Sequence, residues 1–506
     1  MFFHVYLSLI VKIQKIAYYL LIVRRAELSF ADRCSPVSER RVKSSNPGKD
    51  EKYYNIIKNM PLIVLIFYNI FFPILFAFYL PVFIAKLVKR GNFIEGFWER
   101  FGLFSASKKE RLKNFRDPVW IHAVSVGEAV AAVSFIREWS KQKPDLKFVL
   151  STTTSTGQKI AREQSPENVI SIYCPIDFFI CIWSALKIVK PQLLIIFEVE
   201  IWPNLITFSA WKKIKLALVN CRMSDKSARG YSRCRWFFEF IFSRFSLICT
   251  QTEEDACRIK SIIGDQLYIN ICNTMKFDQV KDSQSNNVRL PIDTVFPEKN
   301  RVVFNAASTH AGEEIIMIKA FKSMINDFST LCFILTPRHT ERTNEIEKIL
   351  QKEDMDYVLL TDLKELLKNG NSPLSKETIN KEKAKKKVLL VNTTGDLMGL
   401  FAASDIVFMG KSLGENKGGH NIIEPAIYGK PIVFGRNMDN FRHVAKIFKD
   451  NKAAVEVENE EEFCRTLRSL LSDPDERERL GQMSREVVKN NRGAINKTIE
   501  LLKKTL

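Results

Sequence analysis

The sequence lacks the cysteine patterns of zinc-binding and disulfide-rich proteins. Its ten cysteines are scattered through 506 residues, no C-x-x-C pair occurs, and no cysteine–histidine run has zinc-site spacing. Structural zinc sites and disulfide frameworks both place cysteines at short, recurring intervals. The pattern therefore indicates reduced and mostly buried thiols in a cytosolic protein body.

Glycine, proline and acidic residues are also scarce. The 20 glycines and 18 prolines exclude collagen-like and low-complexity architectures. A hydrophobic content of 46% excludes a mainly disordered chain, and a mean hydropathy of -0.09 excludes a polytopic membrane protein. The 57 acidic residues are outnumbered by 76 basic ones, which gives a net charge of +19. This charge predicts an anionic partner: a nucleic acid, a membrane surface or a phosphorylated substrate.

One long apolar run predicts a membrane anchor over residues 60–90. No charged side chain occurs between Asn59 and Ala85, and about 20 apolar residues suffice to cross a bilayer. Pro73 and Pro81 would kink such a helix, and basic residues follow at once from Lys86. Because basic residues stay on the cytoplasmic side, the rest of the chain should be cytoplasmic. The alternatives are a monotopic helix lying in the membrane interface and a buried core helix.

Residues 1–59 fit this topology poorly. Phe2–Val23 is apolar but is interrupted by Lys12 and Lys15. If this segment also spanned the membrane, the basic loop after it would lie outside, against the positive-inside rule. Two hypotheses remain: translation starts at Met60, or the first 59 residues are a poorly ordered extension.

The remainder of the chain alternates short apolar runs with amphipathic helical stretches. The predicted strands are Val119–Val124, Phe148–Ser151, Leu193–Phe197, Lys215–Val219, Leu247–Thr250, Arg301–Asn305, Leu331–Leu335, Val388–Val391, Asp405–Phe408 and Pro431–Phe434. Such alternation predicts parallel sheets with helices on both faces. A polar linker at Asp278–Asn287 divides the chain into two doubly wound α/β domains, residues 91–287 and 288–506. In such domains ligands bind beyond the carboxyl ends of the strands.

Two carboxylate segments follow predicted strands. Glu128 opens a helix after a Ser-x-Gly turn, where the helix N-terminus holds a carboxylate ionised. Glu128 is therefore a candidate general base toward a hydroxyl, or else an ordinary acidic residue of a first helical turn. Glu198 and Glu200 point apart if the chain is extended. One of them can then face the crevice while the other caps the next helix, or both simply begin that helix.

Three further segments suit an anionic ligand. Ser308 and Thr309 lie between a strand and a helix, where backbone N–H groups can bind phosphate; the alternative is a local capping box completed by Glu313. Arg338 can pair with a phosphate or a carboxylate. Glu424, in the first turn of a helix after paired glycines, can accept both hydroxyls of a ribose. No P-loop and no strand-linked G-x-G-x-x-G occurs, which disfavours P-loop and classical dinucleotide proteins.

Four of the six histidines fall inside these segments: His122, His310, His339 and His420. They are far apart in sequence and differently placed, so they do not predict a metal site. Each is interpreted separately, as a core residue or as a residue that supports the site.

Seven motifs, taken in order, resemble the Kdo (3-deoxy-D-manno-octulosonic acid) transferases of lipopolysaccharide synthesis. The motifs are HAVSVGE at His122–Glu128, EVEIWPN at Glu198–Asn204, NCRMSDKSARGY at Asn220–Tyr231, MKFD at Met275–Asp278, STHAGEE at Ser308–Glu314, PRHTER at Pro337–Arg342 and GGHNIIEP at Gly418–Pro425. The resemblance covers about residues 61–495 and leaves the first 59 residues unexplained.

The resemblance implies a GT-B glycosyltransferase, with two Rossmann-like domains facing a cleft and an N-terminal membrane anchor helix. Such an enzyme transfers Kdo from CMP-Kdo to a lipid A precursor, with inversion and without a catalytic metal or cofactor. It works on the cytoplasmic face of the bacterial inner membrane, whose anionic lipids suit the basic residues beside the anchor. The N-terminal domain would bind the acceptor and the C-terminal domain CMP-Kdo.

The same resemblance assigns roles to individual residues. Glu128 corresponds to the acceptor of the hydroxyl proton, and Glu198 and Lys276 correspond to groups that stabilise the transition state. The residues implied for the CMP site are Pro337, Arg338, Thr394, Gly395, Asp396, Asn421 and Glu424.

Three positions depart from the family pattern. Asp396 stands where the family usually has Glu, Ala311 replaces a frequent Glu, and Lys411 lies in a strand end that is usually glycine-rich. All three concern the nucleotide side and leave Glu128 intact, so we expect an active enzyme.

Two other functions compete with this interpretation. One is a GT-B transferase that uses another nucleotide sugar on a membrane lipid. The other is a membrane-tethered protein that binds nucleic acid, which the charge of +19 would suit. The sequence shows no helix-turn-helix, zinc or RNP-type signature, so we expect no nucleic-acid partner.

Overall fold

The computed structural model describes residues 61–74, 76–78, 80–82, 85, 96–265, 268–280, 295–296, 298, 300–368 and 388–505. The first 59 residues, the charge-rich run Lys376–Lys387, which its sequence suggests is a solvated insertion, and most of the predicted linker Asp278–Asn287 lie outside them. The chain divides into two units. The first unit runs to Met275 and also includes Gly493–Leu506, and the second unit is Lys276–Arg492.

The first unit is built on a seven-stranded sheet. Its strands are Val119–His122 (β1), Phe148–Thr152 (β2), Val169–Tyr173 (β3), Leu193–Phe197 (β4), Lys215–Cys221 (β5), Leu247–Thr250 (β6) and Ile269–Ile271 (β7). All neighbouring strands pair in parallel, in the order β3-β2-β1-β4-β5-β6-β7. The central strands β1 and β4 are buried along their whole length, as their continuous apolar sequences predict.

Helices cover both faces of this sheet. They are Pro61–Phe78 (α1), Ala106–Asn114 (α2), Val126–Gln142 (α3), Ser155–Gln164 (α4), Phe179–Val189 (α5), Pro203–Trp211 (α6), Asp225–Arg233 (α7), Arg235–Phe242 (α8) and Glu253–Ile263 (α9). Their starts follow local chemistry. Ser125 and Thr252 accept a hydrogen bond from the third residue of α3 and of α9, and Pro203 begins α6.

The second unit repeats the plan with another seven-stranded parallel sheet. Its strands are Val302–Thr309 (β8), Leu331–Pro337 (β9), Tyr357–Leu359 (β10), Val388–Leu390 (β11), Ile406–Met409 (β12), Ile432–Gly435 (β13) and Val455–Val457 (β14). The strand order is β10-β11-β9-β8-β12-β13-β14. The helices are Glu313–Met324 (α10), Thr343–Lys352 (α11), Leu360–Lys368 (α12), Leu397–Ala403 (α13), Ile423–Ile427 (α14), Arg442–Asp450 (α15), Glu460–Ser472 (α16) and Pro474–Asn491 (α17).

The last helix, Ala494–Thr505 (α18), belongs to the first unit. Its buried side chains Ile495, Ile499 and Leu502 share an apolar cluster with α3 and with strands β1 and β5. The sequence predicts that residues 288–506 form the second domain, whereas α18 belongs to the first unit. A C-terminal helix with an apolar stripe can pack on either sheet if that sheet has an uncovered apolar face. The helix sequence alone does not indicate which of the two sheets it will cover.

Each sheet has one point at which the strand order reverses. In the first unit the reversal lies between β1 and β4, and in the second it lies between β8 and β12. Loops leaving neighbouring strands in opposite directions open a crevice there, which is where doubly wound domains bind ligands. The segments after β1, β4, β8 and β12 are therefore the places to look for a site.

Candidate functional site

Glu128 lies at the reversal point of the first sheet, in the first turn of α3. Its Oε2 accepts a hydrogen bond from Val124 N at 2.8 Å and its Oε1 accepts one from Ser125 N at 3.2 Å. Its own N–H donates to Ser125 Oγ, which completes a capping box. Burial raises the pKa of Glu128, and the hydrogen bonds from Ser125 and Val124 oppose that rise. The result is a buried carboxylate held in one orientation, with lone pairs left to accept a proton.

The loop after β4 adds two more carboxylates beside the same point. Glu198 directly follows β4 and adopts a left-handed backbone conformation with φ of 57°, which is uncommon outside glycine. Burial and then the charge of Glu128 raise the pKa of Glu200 to about 7, and Trp202 Nε1 donates to Glu200 Oε2 at 3.3 Å. The Glu128 and Glu200 carboxylates are thus close enough for the charge of Glu128 to affect the pKa of Glu200. The resemblance pointed only to Glu198; the EVE spacing was the signal for the second carboxylate.

His122 ends β1 but is a core residue. Its side chain is fully buried, its Nδ1 lies 3.0 Å from Ser151 Oγ, and its ring lies nearly perpendicular to that of Trp202. Burial lowers the pKa of His122 to about 3. The neutral ring therefore supports the loop that carries Glu200, in agreement with the structural interpretation of this histidine.

A buried aspartate connects this loop to α1. Asp177 accepts hydrogen bonds from Asn204 N at 3.1 Å and Leu205 N at 2.9 Å, at the start of α6. Tyr68 of α1 donates to the same carboxylate at 3.3 Å. Burial raises the pKa of Asp177 to about 6, against these hydrogen bonds. Asp177 thus caps α6, which has no side-chain cap of its own.

Helix α1 is long and apolar enough to cross a membrane, by length and composition. One side of it nevertheless packs on the first unit. Val64, Leu65 and Tyr68 are buried. The Asn69 and Asn204 amides exchange two hydrogen bonds of 2.8 and 3.0 Å, and Asn69 Oδ1 also accepts from Phe179 N.

The other side of α1 belongs to an exposed apolar face. This face consists of Leu62, Ile63, Ile66, Phe67, Ile70, Phe71 and Ile74 of α1 with Phe179, Ile180 and Trp183 of α5 and Trp211 of α6. Lys212 Nζ lies 4.0 Å from the centre of the Trp183 ring, and Lys187 Nζ lies 5.4 Å from it. The face is therefore apolar with basic groups beside it.

In the second unit a single carboxylate joins the two loops at the reversal point. Glu313, in the first turn of α10, accepts four backbone hydrogen bonds. His310 N and Lys411 N donate to Oε2 at 2.9 and 2.8 Å, and Ser412 N and Leu413 N donate to Oε1 at 2.9 and 3.0 Å. Burial raises the pKa of Glu313, and these four bonds oppose the rise. The sequence indicated only a local helix cap at Glu313, because the loop after β12 that it also binds is about 100 residues farther along the chain.

Arg338, Asn421 and Glu424 form a polar group near the same loops. Asn421 Nδ2 donates to Glu424 Oε1 at 3.1 Å. Burial raises the pKa of Glu424, while Asn421 and the charge of Arg338 oppose the rise. Arg338 is exposed at the end of β9, after the buried Pro337. The three side chains thus offer a cation, an amide and a carboxylate, which suits a phosphorylated nucleoside.

The other predicted nucleotide residues lie at the start of α13. Thr394 and Gly395 are exposed. Asp396 accepts hydrogen bonds from Lys364 Nζ at 2.6 Å and from Thr393 Oγ1. Burial alone would raise the pKa of Asp396, but these two partners outweigh it and lower the pKa. Both carboxylate oxygens of this shorter side chain are therefore engaged within the unit.

The structural positions of Ser308, Thr309 and Lys276 differ from those that the sequence predicted. Ser308 and Thr309 are buried in β8, which extends four residues beyond its predicted end at Asn305. Their side chains are thus part of the strand and not of an open loop. Lys276 belongs to the second unit, where its Nζ donates to Asn440 O at 2.9 Å and lies 4.3 Å from the centre of the Phe441 ring.

Sequence reasoning also missed a cluster of three imidazoles: His310, His339 and His420. His310 Nε2 lies 3.1 Å from His420 Nε2, and the centre of the His339 ring lies 5.3 Å from that of His310. Within the residues that the structure describes, no three His, Cys, Asp or Glu side chains form a metal-binding group.

Comparisons with known proteins identify the class of this chain. The family model described as 3-deoxy-D-manno-octulosonic-acid transferase (kdotransferase) matches residues 95–279. The model described as glycosyl transferases group 1 matches residues 368–487. A solved UDP-GlcNAc 2-epimerase from Neisseria meningitidis has a similar fold, with 13% identity, a TM-score of 0.51, and coverage of 76% of this chain and 100% of the other. Together with the two parallel sheets, the family matches define a glycosyltransferase and confirm the predicted α/β class.

The relatives narrow the class to one family. The 3-deoxy-D-manno-octulosonic acid transferase of Haemophilus influenzae is 30% identical over 386 residues, covering 76% of this chain and 86% of the relative. The enzyme of the same name from Rickettsia felis is 31% identical over 394 residues, covering 77% and 80%. The chain belongs to the 3-deoxy-D-manno-octulosonic acid (Kdo) transferase family, and the predictions of a Kdo transferase and of an enzyme are confirmed.

Proposed function

We propose that this enzyme transfers Kdo from CMP-Kdo to a lipid A precursor, with inversion at the anomeric carbon and with Glu128 as general base. The observation that carries this proposal is the buried Glu128 carboxylate at the reversal point of the first sheet, fixed by Val124 N and Ser125 N. A carboxylate in that position suits a base that acts on a hydroxyl, and the attacking group in a sugar transfer is a hydroxyl.

The chemical step balances without any further group. The acceptor hydroxyl attacks the anomeric carbon of Kdo and gives its proton to Glu128, while the bond from that carbon to the phosphate oxygen breaks. The electron pair leaves with CMP. Attack on the face opposite the leaving phosphate inverts the configuration at the anomeric carbon.

We assign stabilisation of the transition state to Glu198 and Lys276. An anionic group at Glu198 would favour the positive charge that develops on the sugar, and the Lys276 ammonium would favour the negative charge on the departing phosphate. Lys276 is fixed for such a role by Asn440 O and the face of Phe441.

We propose that the nucleotide part of the donor is bound by seven residues of the second unit: Pro337, Arg338, Thr394, Gly395, Asp396, Asn421 and Glu424. Arg338 would pair with the phosphate, and the half-buried Glu424 would accept ribose hydroxyls. Ser308 and Thr309 are kept in this proposal only through their backbone, because their side chains are buried in β8. The proposal needs no metal and no cofactor.

We propose that the exposed apolar face of α1, α5 and α6 rests on the cytoplasmic side of the inner membrane. Its apolar side chains suit the acyl region, and Lys187 and Lys212 suit anionic headgroups. Asn69 and Tyr68 bind Asn204 and Asp177 within the first unit. A helix that crossed the bilayer would have to carry these polar partners into the hydrocarbon or lose them. We therefore favour a monotopic helix over a spanning one.

The deciding experiment is a transfer assay with purified protein and tetraacylated lipid A precursor, read by mass spectrometry. CMP-Kdo and a set of UDP-sugars are offered separately as donors. The proposal predicts a product heavier by one or more Kdo units with CMP-Kdo alone. A product formed only from a UDP-sugar would contradict it, as would transfer from CMP-Kdo to a water-soluble acceptor but not to the lipid.

A further inference from the structure

Two histidines of the second unit, His310 and His420, are in direct contact through their rings. The planes of the His310 and His420 rings differ by 21°, the ring centres lie 5.3 Å apart, and the two Nε2 atoms lie 3.1 Å apart. The contact is a hydrogen bond between two ring nitrogens, and which ring donates depends on the tautomers.

This contact fixes the protonation states that the pair can adopt. Neutral imidazole carries one N–H, so one ring must be the Nε2–H tautomer and the other must keep its proton on Nδ1. Adding one proton makes an imidazolium and an imidazole that still share the bridge, now as a stronger, charge-assisted hydrogen bond. Adding a second proton would set two N–H groups against each other and break it. The pair therefore has a neutral state and a singly charged state.

The surroundings hold the pair in its neutral state. Burial, and after it the electrostatic effects of Lys411, His339, Arg342 and Arg338, lower the pKa of His310 to about 4. Burial and largely the same groups lower the pKa of His420 to about 3. The cations Arg338 and Arg342 follow β9, and Lys411 lies in the loop after β12.

Nearby carboxylates offset only part of this positive charge: Glu314 and Glu345 both pair with Arg342. The Glu313 oxygens point to four backbone N–H groups, and Glu314 pairs with Arg342 at 2.7 Å. Glu424 is bonded to Asn421. An incoming anion would be the group that offsets the positive charge around the two rings.

We propose that the His310–His420 pair takes up one proton when the donor phosphate binds beside Arg338, so that donor binding is coupled to proton uptake. This inference rests on the donor site proposed above. The ligand class is a nucleoside phosphate diester, whose negative charge favours the charged state of the pair. The bridge persists in that state, so the uptake requires no rearrangement of the two loops.

Cytidine 5′-(methyl phosphate) is a suitable probe. Its phosphate is a diester, as in the donor, and does not titrate near neutral pH, whereas a phosphate monoester titrates near pH 6. Calorimetry of the full chain in two buffers of different ionisation enthalpy gives the number of protons taken up on binding. We expect uptake approaching one proton per probe bound near pH 5.5. The probe affinity should strengthen by up to about tenfold for each pH unit lowered through the window of uptake.

Variants locate the effect. In His420→Gln and in His310→Gln the bridge is lost, so binding should proceed with little proton uptake and a flatter pH dependence. His443→Gln, a histidine of the same unit on α15, should behave like the native protein. If either variant of the pair fails to fold, the number of protons taken up by the native protein on probe binding still tests the coupling.

The outcomes separate this inference from the proposed function. Probe binding by the native protein with no proton uptake and constant affinity from pH 5.5 to 7.5 would overturn the coupling and leave the transfer reaction standing. Equal uptake in the native protein and both pair variants would also overturn it. Failure of the CMP-Kdo transfer assay would overturn the donor site and this inference together.

Discussion

Replacing Glu313 by glutamine tests how far the second unit depends on one buried carboxylate. The carboxylate joins the loops after β8 and β12 by accepting four backbone hydrogen bonds, two on each oxygen. Glutamine has nearly the same shape but only one acceptor oxygen. Two of the four N–H groups would then face an amide nitrogen, which is itself a donor.

The expected loss follows from the number of hydrogen bonds. A hydrogen bond to a charged group contributes roughly 1.5–3 kcal/mol, so losing two costs about 3–6 kcal/mol. Part of this cost is offset because glutamine avoids burying a charge, the same burial that raises the pKa of Glu313. We expect a net loss of about 3 kcal/mol, which lowers the midpoint of unfolding by roughly 6–12 °C for a unit of about 200 residues.

Differential scanning calorimetry of the full chain measures this shift. Glu341→Gln is the matched control, because Glu341 is an exposed carboxylate of the same unit and such changes usually stay within about 0.5 kcal/mol. A Glu313→Gln variant as stable as the Glu341→Gln variant would refute the reasoning.

Two further predictions concern the first unit. Because burial holds the pKa of Asp177 at about 6, above its ordinary value near 3.9, the folded state keeps this proton longer, and stability falls as pH rises. Urea unfolding should show a loss of about 1 kcal/mol between pH 5 and pH 7 that Asp177→Asn lacks; an equal pH dependence in both proteins would contradict this. Ile66 and Ile70 are each about half exposed on the apolar face, so changing both to Gln should weaken binding to anionic vesicles by roughly 30-fold, at about 1 kcal/mol each. Ile271→Gln, outside that face, should bind vesicles normally, and vesicle flotation distinguishes the two.

The inner strands of the two sheets can be predicted from the sequence, whereas the edge strands cannot. The strands predicted from apolar runs are the inner strands of the two sheets, where burial on both faces demands continuous apolar sequence. The four described strands that the apolar runs did not predict, β3, β7, β10 and β14, are all edge strands. Three of them are only partly buried, so their sequences are short and mixed and carry little signal.

In the candidate site, contacts between residues close in sequence can be predicted, whereas contacts between residues far apart in sequence cannot. Glu128 is readable from its Ser-x-x-Glu capping box, because both partners lie within four residues. The bonds of Glu313 to the loop after β12, and the His310–His420 contact, join residues about 100 positions apart. Sequence spacing cannot reveal such contacts, since they depend on which strands become neighbours. Left-handed φ values at Glu198 and Lys411 are equally hidden, because both positions carry residues that usually avoid that conformation.

The central claim is that Glu128 takes the proton of the attacking hydroxyl. The most direct test compares the rate of Kdo transfer by the native enzyme, by Glu128→Gln and by Glu138→Gln, a carboxylate farther along the same helix. General-base catalysis contributes roughly 10²–10⁴-fold. We predict a loss of that size in Glu128→Gln with unchanged CMP affinity, and near-native transfer in Glu138→Gln. Native-like turnover by Glu128→Gln would contradict the account.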